Sequence, residues 1–331
     1  MYVVTGADGF IGSNLVDELN RRGVDQIVLV DQYASLFSGD LSAIPPAEAR
    51  YTSELRCAGW LDFRQLPQWL DRAGDEVRAV IHLGACSDTT VTDRDYVMIN
   101  NFEYSRQLWS WCTRAVCPLV YASSAATYGD GQRGYSDRLN PVIYRPLNLY
   151  GESKQLFDLW ALQQLDQPPH WAGVKYFNVY GPQEQHKGRM ASVVWHCYRQ
   201  IQREGRVSLF QSHRPDVRNG GQQRDFLYVR DAVDATLYLL DAPLVRGLYN
   251  VGTGKARTFE DLAKAVFSAL DREPDIEYIP MPEDLRGRYQ YFTQAVIDKL
   301  RQAGFAARFH TIEEGVQDYV TQSLANEVVV S

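Results

Sequence analysis

The 331-residue sequence has no apolar run that approaches the ~20 residues a helix needs to cross a bilayer. No basic region precedes its first apolar stretch, so we expect neither a signal peptide nor a membrane partner. Histidine pairs with His-x-x-x-His or His-Glu-x-x-His spacing are also missing, and we therefore expect no zinc or other metal site.

Cysteine is scarce, and no two cysteines form a Cys-x-x-Cys pair. The five cysteines are Cys57, Cys86, Cys112, Cys117 and Cys197. Their odd number and scattered positions indicate reduced thiols, which are typical of a cytoplasmic enzyme.

The chain also lacks an excess of basic residues. Lys and Arg total 34 against 41 Asp and Glu, which gives a formal net charge of −7. Such a chain has no basic field that could neutralise phosphates, so we expect no nucleic acid partner. Hydrophobic residues make up 45% of the sequence, which suffices for a core, and the length allows one large α/β domain or two smaller ones.

The first 31 residues carry the clearest pattern in the chain. An apolar strand over 2–5 runs into the turn Gly6-Ala7-Asp8-Gly9-Phe10-Ile11-Gly12, and a helical pattern over 13–22 follows. A second buried strand, 27–30, ends at Asp31. This layout predicts a dinucleotide-binding βαβ unit, with the cofactor pyrophosphate at the N-terminus of the first helix, where backbone N–H groups and the helix dipole favour anions.

Strands and helices alternate through the first half of the sequence. We predict strands over 79–83, 119–122 and 173–177, and helices over 101–115, 153–164 and 190–204, with an irregular loop over 34–56. The predicted fold is α/β, a Rossmann-type doubly wound parallel sheet with a smaller C-terminal α/β substrate lobe. Its Rossmann domain spans 1–178, the substrate lobe occupies most of 179–331, and segments near 226–255 return to the first domain. We expect a frayed tail from Asn326.

A second pattern, Tyr150-Gly151-Glu152-Ser153-Lys154, places a tyrosine and a lysine on one helical face. A lysine ammonium there is expected to lower the tyrosine pKa and make the phenol a usable base. Such a pair alone is more typical of a solvated helix than of a catalytic site. Ser123 and Ser124 follow a predicted strand on the cofactor side of the sheet, where a hydroxyl can bind a substrate oxygen, and this favours chemistry.

The glycine turn, the strand-end serine and the Tyr-x-x-x-Lys pair together resemble the extended short-chain dehydrogenase/reductase family of nucleotide-sugar enzymes. The resemblance is closer to the subfamily that epimerises ADP-heptose at C6″ for the lipopolysaccharide inner core. Its residues are 122–129, 176–182, His186-Lys187-Gly188 with 190–193, and Gly287-Arg288-Tyr289-Gln290 with 292–295. It covers most of the chain and is weakest from 33 to 75.

The resemblance implies roles for individual residues. Tyr150 and Lys187 would be the two acid/base groups of an oxidation and re-reduction at one sugar carbon. Ser124 would bind substrate beside Tyr150, and Lys154 would bind the nicotinamide ribose. The implied cofactor contacts are Gly6, Gly9, Phe10, Ile11, Gly12, Asp31, Gln32, Leu83, Gly84, Ala85, Cys86, Ser87, Asn100, Lys154, Val179 and Lys187. The implied substrate contacts are Ser124, Asn178, Arg189, His196, Phe210, Gln211, Ser212, His213, Arg224 and Tyr289.

The resemblance implies NADP or NAD as a tightly bound cofactor, an ADP-heptose substrate and a homo-oligomer, including the pentamers of the family. The residues leave NADP and NAD both open. Asp31 favours the free 2′-hydroxyl of NAD by its charge, whereas NADP-binding relatives use lysines downstream. Residues 32–66 contain no lysine, and their cations are Arg50, Arg56 and Arg64.

Other functions remain open at this stage. A 4,6-dehydratase would need an acid and a base directly after Ser124, where Ala125 and Ala126 stand. A UDP-sugar 4-epimerase shares the Tyr–Lys pair, and the His-Lys-Gly stretch argues against it. A cofactor-sensing protein without turnover would commonly lose Tyr150 or Lys154. Arg224 could pair with Asp225 or Asp231 instead of phosphate, and the 212–223 loop could be either a phosphate-binding or a solvated segment.

Overall fold

A computed structural model describes residues 1–242, 245–286 and 289–326 of the protein. The chain forms two compact units. The first unit consists of Met1–Gly129, Asp137–Lys175 and Val233–Tyr249, and the second unit of Asp130–Ser136, Tyr176–Ala232 and Asn250–Ser331. The tail beyond Asn326, together with Gly287 and Arg288 of the Gly-Arg-Tyr-Gln stretch, lies outside the described residues.

The strands and helices alternate along most of the chain. The strands are β1 Tyr2–Thr5, β2 Ile27–Asp31, β3 Gly59–Asp62, β4 Ala79–His82, β5 Leu119–Ser124, β6 Trp171–Tyr176, β7 Asn178–Tyr180, β8 Val207–Phe210, β9 Gln223–Arg224, β10 Phe226–Tyr228, β11 Arg246–Val251, β12 Arg257–Thr258 and β13 Ile276–Ile279. The helices are α1 Phe10–Arg21, α2 Leu66–Ala73, α3 Arg94–Val97, α4 Tyr104–Arg114, α5 Leu149–Gln163, α6 Val193–Glu204, α7 Val229–Asp241, α8 Phe259–Ala269, α9 Glu283–Arg286, α10 Asp298–Gln302 and α11 Ile312–Gln322.

Seven strands form one sheet in the order β11-β6-β5-β4-β1-β2-β3. β1 pairs in parallel with β2 on one side and with β4 on the other, with Val3 opposite Val28 and Val80. The strand order reverses at β1, and ligands of such sheets bind at the carboxyl ends of the strands beside this point. The predicted Rossmann-type parallel fold is confirmed.

The core of the first unit explains why these segments adopt the sheet. Every residue of β1 and β4 is buried, which is typical of a parallel strand covered on both faces. Trp109 on α4 packs edge-on against Trp171 of β6, with ring centroids 4.9 Å apart, and also contacts Phe157 of α5 at 6.1 Å. This aromatic cluster fixes α4 and α5 against the sheet.

Side-chain caps decide where two of the predicted helices begin. α5 begins at Leu149, earlier than predicted, because the Asn148 side chain accepts a hydrogen bond from the backbone N–H of Gly151 at 2.8 Å. α6 begins at Val193 rather than at 190, because Ser192 caps it and residues 185–190 form a separate 3₁₀ segment. A π-helical segment over 98–103 precedes α4. The sequence analysis did not predict β3 or α2.

The second unit contains three two-stranded sheets among the described residues. β7 pairs in parallel with β10, β8 in parallel with β13, and β9 antiparallel with β12. α8 begins with a capping box between Thr258 and Asp261, and α11 packs against it. In the described part of the chain, no helix has the length and apolarity that a bilayer crossing requires.

Trp109→Ala is expected to lower the free energy of unfolding by about 3–5 kcal/mol, because it empties the centre of the aromatic cluster. Urea denaturation followed by far-UV circular dichroism measures this change. Leu165→Ala is the control, since Leu165 is 99% exposed and its truncation should change stability by less than about 0.5 kcal/mol. Equal effects of the two substitutions would contradict the assigned core.

Candidate functional site

The glycine turn between β1 and α1 is packed too tightly for side chains. A Cβ atom on Gly12 would lie 1.9 Å from the Gly6 carbonyl oxygen, and one on Gly6 would lie 2.6 Å from the Gly84 nitrogen. Gly6 also has a φ of +68°, which side-chain-bearing residues rarely adopt. Gly9 caps α1 without a side-chain hydrogen bond, so the helix N-terminus presents its dipole to an anion. These features fit a dinucleotide pyrophosphate.

Asp31, at the end of β2, holds the glycine turn in place. Its carboxylate accepts hydrogen bonds from the backbone N–H of Asp8 at 2.9 Å and of Gln32 at 2.8 Å. Burial raises the pKa of Asp31, and the nearby Arg50 opposes that rise. The Asp8 carboxylate in turn accepts the N–H groups of Arg50 at 2.7 Å and Tyr51 at 2.8 Å. Residues 50–52 are therefore tied directly to the cofactor turn.

The three arginines after β2 differ in whether their side chains are bound to other groups of the protein. Arg56 donates to the backbone carbonyl of Asn20 at 2.5 Å, and Arg64 pairs with Asp62 at 2.6 Å. Within the residues that the structure describes, the exposed Arg50 guanidinium has no hydrogen-bonded partner. Arg50 is thus a cation near Asp31 whose guanidinium is available to pair with a ribose 2′-phosphate.

The segment after β4 is held by buried polar groups. His82 Nδ1 lies 2.6 Å from Thr5 Oγ1, and its Nε2 lies 2.9 Å from Ser105 Oγ. Burial lowers the pKa of His82 to about 3, so the ring is neutral. Asn101 accepts the N–H of Cys86 at 2.8 Å and donates to the Cys86 carbonyl at 2.9 Å. These two hydrogen bonds orient residues 83–87. The predicted cofactor contact Asn100 is bound elsewhere, because its side chain donates to the Tyr96 carbonyl.

The Ser124 hydroxyl is close enough to the Tyr150 phenol to oppose the rise that burial causes in the Tyr150 pKa. Ser124 is the last residue of β5, and Tyr150 lies in the first turn of α5, whose start is set by the Asn148 cap. Lys154 is 3% exposed, and its Nζ lies 6.0 Å from the centroid of the Tyr150 ring. The structure thus brings together three of the predicted catalytic residues.

The predicted lowering of the Tyr150 pKa by Lys154 is wrong as a net direction in this structure. Desolvation raises the pKa of Tyr150, and the nearby Ser124 hydroxyl opposes this only in part. Burial also lowers the pKa of Lys154 itself to about 8, against the attraction of Asp158. Sequence spacing shows that two groups are adjacent, but it does not show how far each has been removed from water.

Lys187 lies in the second unit, on a segment tied down by Glu184. The buried Glu184 carboxylate accepts hydrogen bonds from Ser192 Oγ at 2.6 Å and from the Ser192 N–H at 2.5 Å. Burial lowers the pKa of Lys187, and the charge of Glu184 opposes that shift. A lysine with a lowered pKa can exchange protons nearer neutral pH than an ordinary ammonium group.

A cavity of about 590 Å³ opens beside Lys187 within the second unit. This size is ordinary for a small-molecule site. Predicted site residues in its wall are Asn178, Val179, Lys187, His196, Phe210, Arg224 and Tyr289. Residues that the prediction did not include also line it, among them Gln222 and Phe259.

Arg224 is the buried cation of this cavity. Its guanidinium lies over the rings of Phe259 at 5.6 Å and Tyr289 at 5.4 Å, and burial lowers its pKa. The alternative of an ion pair with Asp225 or Asp231 is not found among the described residues. Asp225 accepts the N–H groups of Thr253 and Ala295, and Asp231 pairs with His310. Arg224 therefore suits a diphosphate or an aromatic base.

Five predicted substrate contacts are not in the wall of this cavity, and their role stays a prediction: Ser124 of the first unit, Arg189, Gln211, Ser212 and His213. Arg189 is exposed, and Gln211, Ser212 and His213 lie at the start of the 212–223 loop region. His213 Nδ1 is 2.9 Å from the Tyr291 hydroxyl. In the loop, Arg214 forms an exposed ion pair with Asp216, whereas Arg218 pairs with the largely buried Glu260 of α8 and so ties the loop to that helix.

Sequence reasoning missed four residues that support the site. Asp8, Asn101, Glu184 and Asp158 are buried polar groups that bind backbone or catalytic segments. Asp8 stands inside the glycine turn and Glu184 three residues before Lys187, so local position was a usable signal for these two. Among the described residues, no cluster of His, Cys, Asp and Glu could hold a metal ion.

Comparison with known proteins places these features in context. The model of the NAD dependent epimerase/dehydratase family matches residues 2–252. The ADP-L-glycero-D-manno-heptose-6-epimerase of Fusobacterium nucleatum subsp. nucleatum is 46% identical, with 99% of both chains covered. The enzyme of the same name from Nitratidesulfovibrio vulgaris strain DP4 is 49% identical over 98% of both chains. The crystal structure of the Helicobacter pylori enzyme of that name has a TM-score of 0.77 at 26% identity, covering 97% of this chain and 95% of that one.

Arg50→Ala is expected to weaken NADP binding about tenfold and to change NAD binding less than about twofold, because only NADP offers a 2′-phosphate to the guanidinium. Isothermal titration of cofactor-stripped protein with each dinucleotide measures both affinities. Arg114→Ala is the control, since Arg114 pairs with Asp71 at 3.6 Å on the outer end of α4. Equal weakening of NAD and NADP would show that Arg50 does not contact the 2′-position.

Proposed function

This chain belongs to the NAD-dependent epimerase/dehydratase family, and we propose that it inverts C6″ of ADP-D-glycero-D-manno-heptose to form the L-glycero epimer, a precursor of the lipopolysaccharide inner core. The observation that carries the proposal is a second desolvated proton carrier, Lys187, in the wall of the cavity. Inversion at one carbon requires proton exchange with its oxygen in two positions. The near-full-length similarity to enzymes named for this reaction supports the same substrate.

The first unit supplies the cofactor site and one proton carrier. The glycine turn and the N-terminus of α1 would hold the pyrophosphate, Asp31 and Arg50 the adenosine ribose, and Lys154 the nicotinamide ribose. When bound, the nicotinamide would supply hydride transfer from C6″ and back to the opposite face of the resulting ketone. Ser124 donates a hydrogen bond to the substrate oxygen while Tyr150 exchanges its proton.

Lys187 serves as the second acid/base group in the proposal. Its lowered pKa makes the neutral amine accessible as a proton acceptor, and the raised pKa of Tyr150 suits the phenol to proton donation. Because both epimers pass through the same ketone, each group acts as acid in one direction and as base in the other. This mechanism returns the hydride in every cycle, so no reduced cofactor accumulates.

The nucleotide end of the substrate is assigned to the cavity of the second unit. Arg224 would pair with the diphosphate through its planar guanidinium, and Tyr289 and Phe210 offer aromatic surfaces to the adenine. Their edge-to-face contact, with ring centroids 6.5 Å apart, shows that both rings also pack against each other. We assign the cofactor-binding role to residues 1–178 and the substrate-binding role mostly to 179–331.

The proposal includes a cytoplasmic location and a homo-oligomer, in keeping with the resemblance to the ADP-heptose epimerases. All five cysteines are free, which is consistent with a reducing compartment. Sedimentation of the purified protein determines its oligomeric state directly.

Tyr150→Phe is expected to lower kcat for epimerisation by about 10²–10⁴-fold while leaving the fold and the bound cofactor intact, because it removes one proton-transfer group. Proton NMR of ADP-D-glycero-D-manno-heptose incubated with the protein measures turnover. Tyr96→Phe is the control, because Tyr96 is 45% exposed on α3. Wild-type turnover by Tyr150→Phe would remove this residue from the mechanism.

Lys187→Met is expected to lower kcat about 10²-fold or more and to change KM little, because the amine moves a proton in the reacting complex. Lys255→Met, which alters an exposed lysine of the second unit, should keep full activity. A change confined to KM would make Lys187 a binding residue.

Turnover of UDP-glucose in place of the ADP-heptose tests the 4-epimerase alternative. Accumulation of reduced cofactor, followed by absorbance, tests the dehydrogenase alternative.

A further inference from the structure

A fully buried ion pair joins Asp158 of α5 to Lys175 of β6. Asp158 lies on the helix face that also carries Tyr150 and Lys154. Asp158 Oδ2 accepts hydrogen bonds from Lys175 Nζ at 2.5 Å and from Ser123 Oγ at 2.7 Å, and Oδ1 accepts one from the Tyr121 hydroxyl at 3.0 Å. The side chains of Asp158 and Lys175 are 0% and 2% exposed. The carboxylate is therefore saturated with donors that hold its negative charge in the interior.

Lys175 is satisfied as completely as its partner. Its Nζ donates to Thr127 Oγ1 at 2.7 Å and lies 5.2 Å from the centroid of the Tyr128 ring. Taking two charges out of water costs free energy that their attraction only roughly offsets, so such a pair is a weak source of stability compared with apolar residues of the same volume. Its presence at this position calls for a role other than packing.

The position of Asp158 indicates that role. Asp158 follows Lys154 by four residues and Tyr150 by eight, so all three lie on one face of α5. Lys154 is itself buried, and an ammonium group there tends to lose its proton. A carboxylate one helical turn away is the group that opposes this loss, provided that the carboxylate itself remains ionised.

We propose that Lys175 and Asp158 are positioning residues that form a charge relay: Lys175 holds the buried Asp158 side chain in place through their 2.5 Å ion pair, and the Asp158 charge favours the protonated form of Lys154 for its work beside Tyr150. Other groups near the site do not replace this function. His82, which faces Lys154, is neutral, and Cys86, which faces Tyr150, is a thiol whose pKa is raised by burial. Burial lowers the pKa of Lys154 to about 8, and the negative charge of Asp158 opposes a further fall.

The informative variant removes both charges at once. Asp158→Asn/Lys175→Met leaves no unpaired buried charge, whereas either single substitution would leave one and would destabilise the fold. In the double variant the pKa of Lys154 is expected to fall by about one unit, because the Coulomb attraction of a carboxylate one turn away is lost. In wild-type protein Lys154 is expected to titrate near pH 8.

Carbon-13 labelling of the lysine ε-positions measures this titration in the protein as purified, with its cofactor. The chain has only six lysines, so the signals are few, and Lys154→Arg identifies the relevant one. The matched control is Arg94→Met/Glu152→Gln, which removes an exposed ion pair of 2.6 Å between α3 and the same helix α5. Solvent screens that pair, so the titration of Lys154 should move by less than about 0.3 units.

The relay makes a second prediction that rests on the proposed function. The alkaline limb of kcat for epimerisation should move to lower pH by the same amount in the double variant, with KM little changed. An unmoved Lys154 titration in the double variant, or a wild-type Lys154 that titrates at its ordinary value, overturns the relay. A shifted titration in a protein that does not epimerise ADP-heptose retains the relay and rejects the proposed function instead.

Discussion

The arrangement of ionisable groups along one face of α5 is the constraint on which the chemistry of the first unit depends. Tyr150, Lys154 and Asp158 recur at four-residue intervals, and the Asn148 cap sets the point at which this helix begins. One face of α5 is thereby turned toward the end of β5, where the Ser124 hydroxyl influences the pKa of Tyr150. A shift of the helix start by one residue would rotate all three side chains by about 100°.

Desolvation is the second physical theme of the protein. Burial raises the pKa of Tyr150 and lowers the pKa values of Lys154 and Lys187. Each of these shifts is opposed by a partner of defined geometry: Ser124 for the tyrosine, Asp158 and Glu184 for the lysines. Burial thus shifts the pKa values of the three proposed catalytic groups, while their neighbours limit how far each pKa moves.

The sequence predicted features whose residues lie close together along the chain, and it missed features that depend on distant residues. The βαβ unit was predictable because its signals, three glycines and Asp31, lie within one short segment. β3 was missed because Gly59–Asp62 is short and follows an irregular stretch. The direction of the Tyr150 pKa shift was wrongly predicted because spacing reveals neighbours along a helix but not the loss of water around them.

The glycine turn, the helical spacing of Tyr150 and Lys154, and the family of the chain were all recognisable from the printed residues, because these features depend on residues a few positions apart. Tertiary packing was needed to bring Arg50 near Asp31, to pair Lys175 with Asp158, and to place Arg224 over Phe259 and Tyr289. These contacts join residues that are 17 to 65 positions apart in the printed sequence. Packing of whole strands and helices creates them, and no local periodicity encodes such packing.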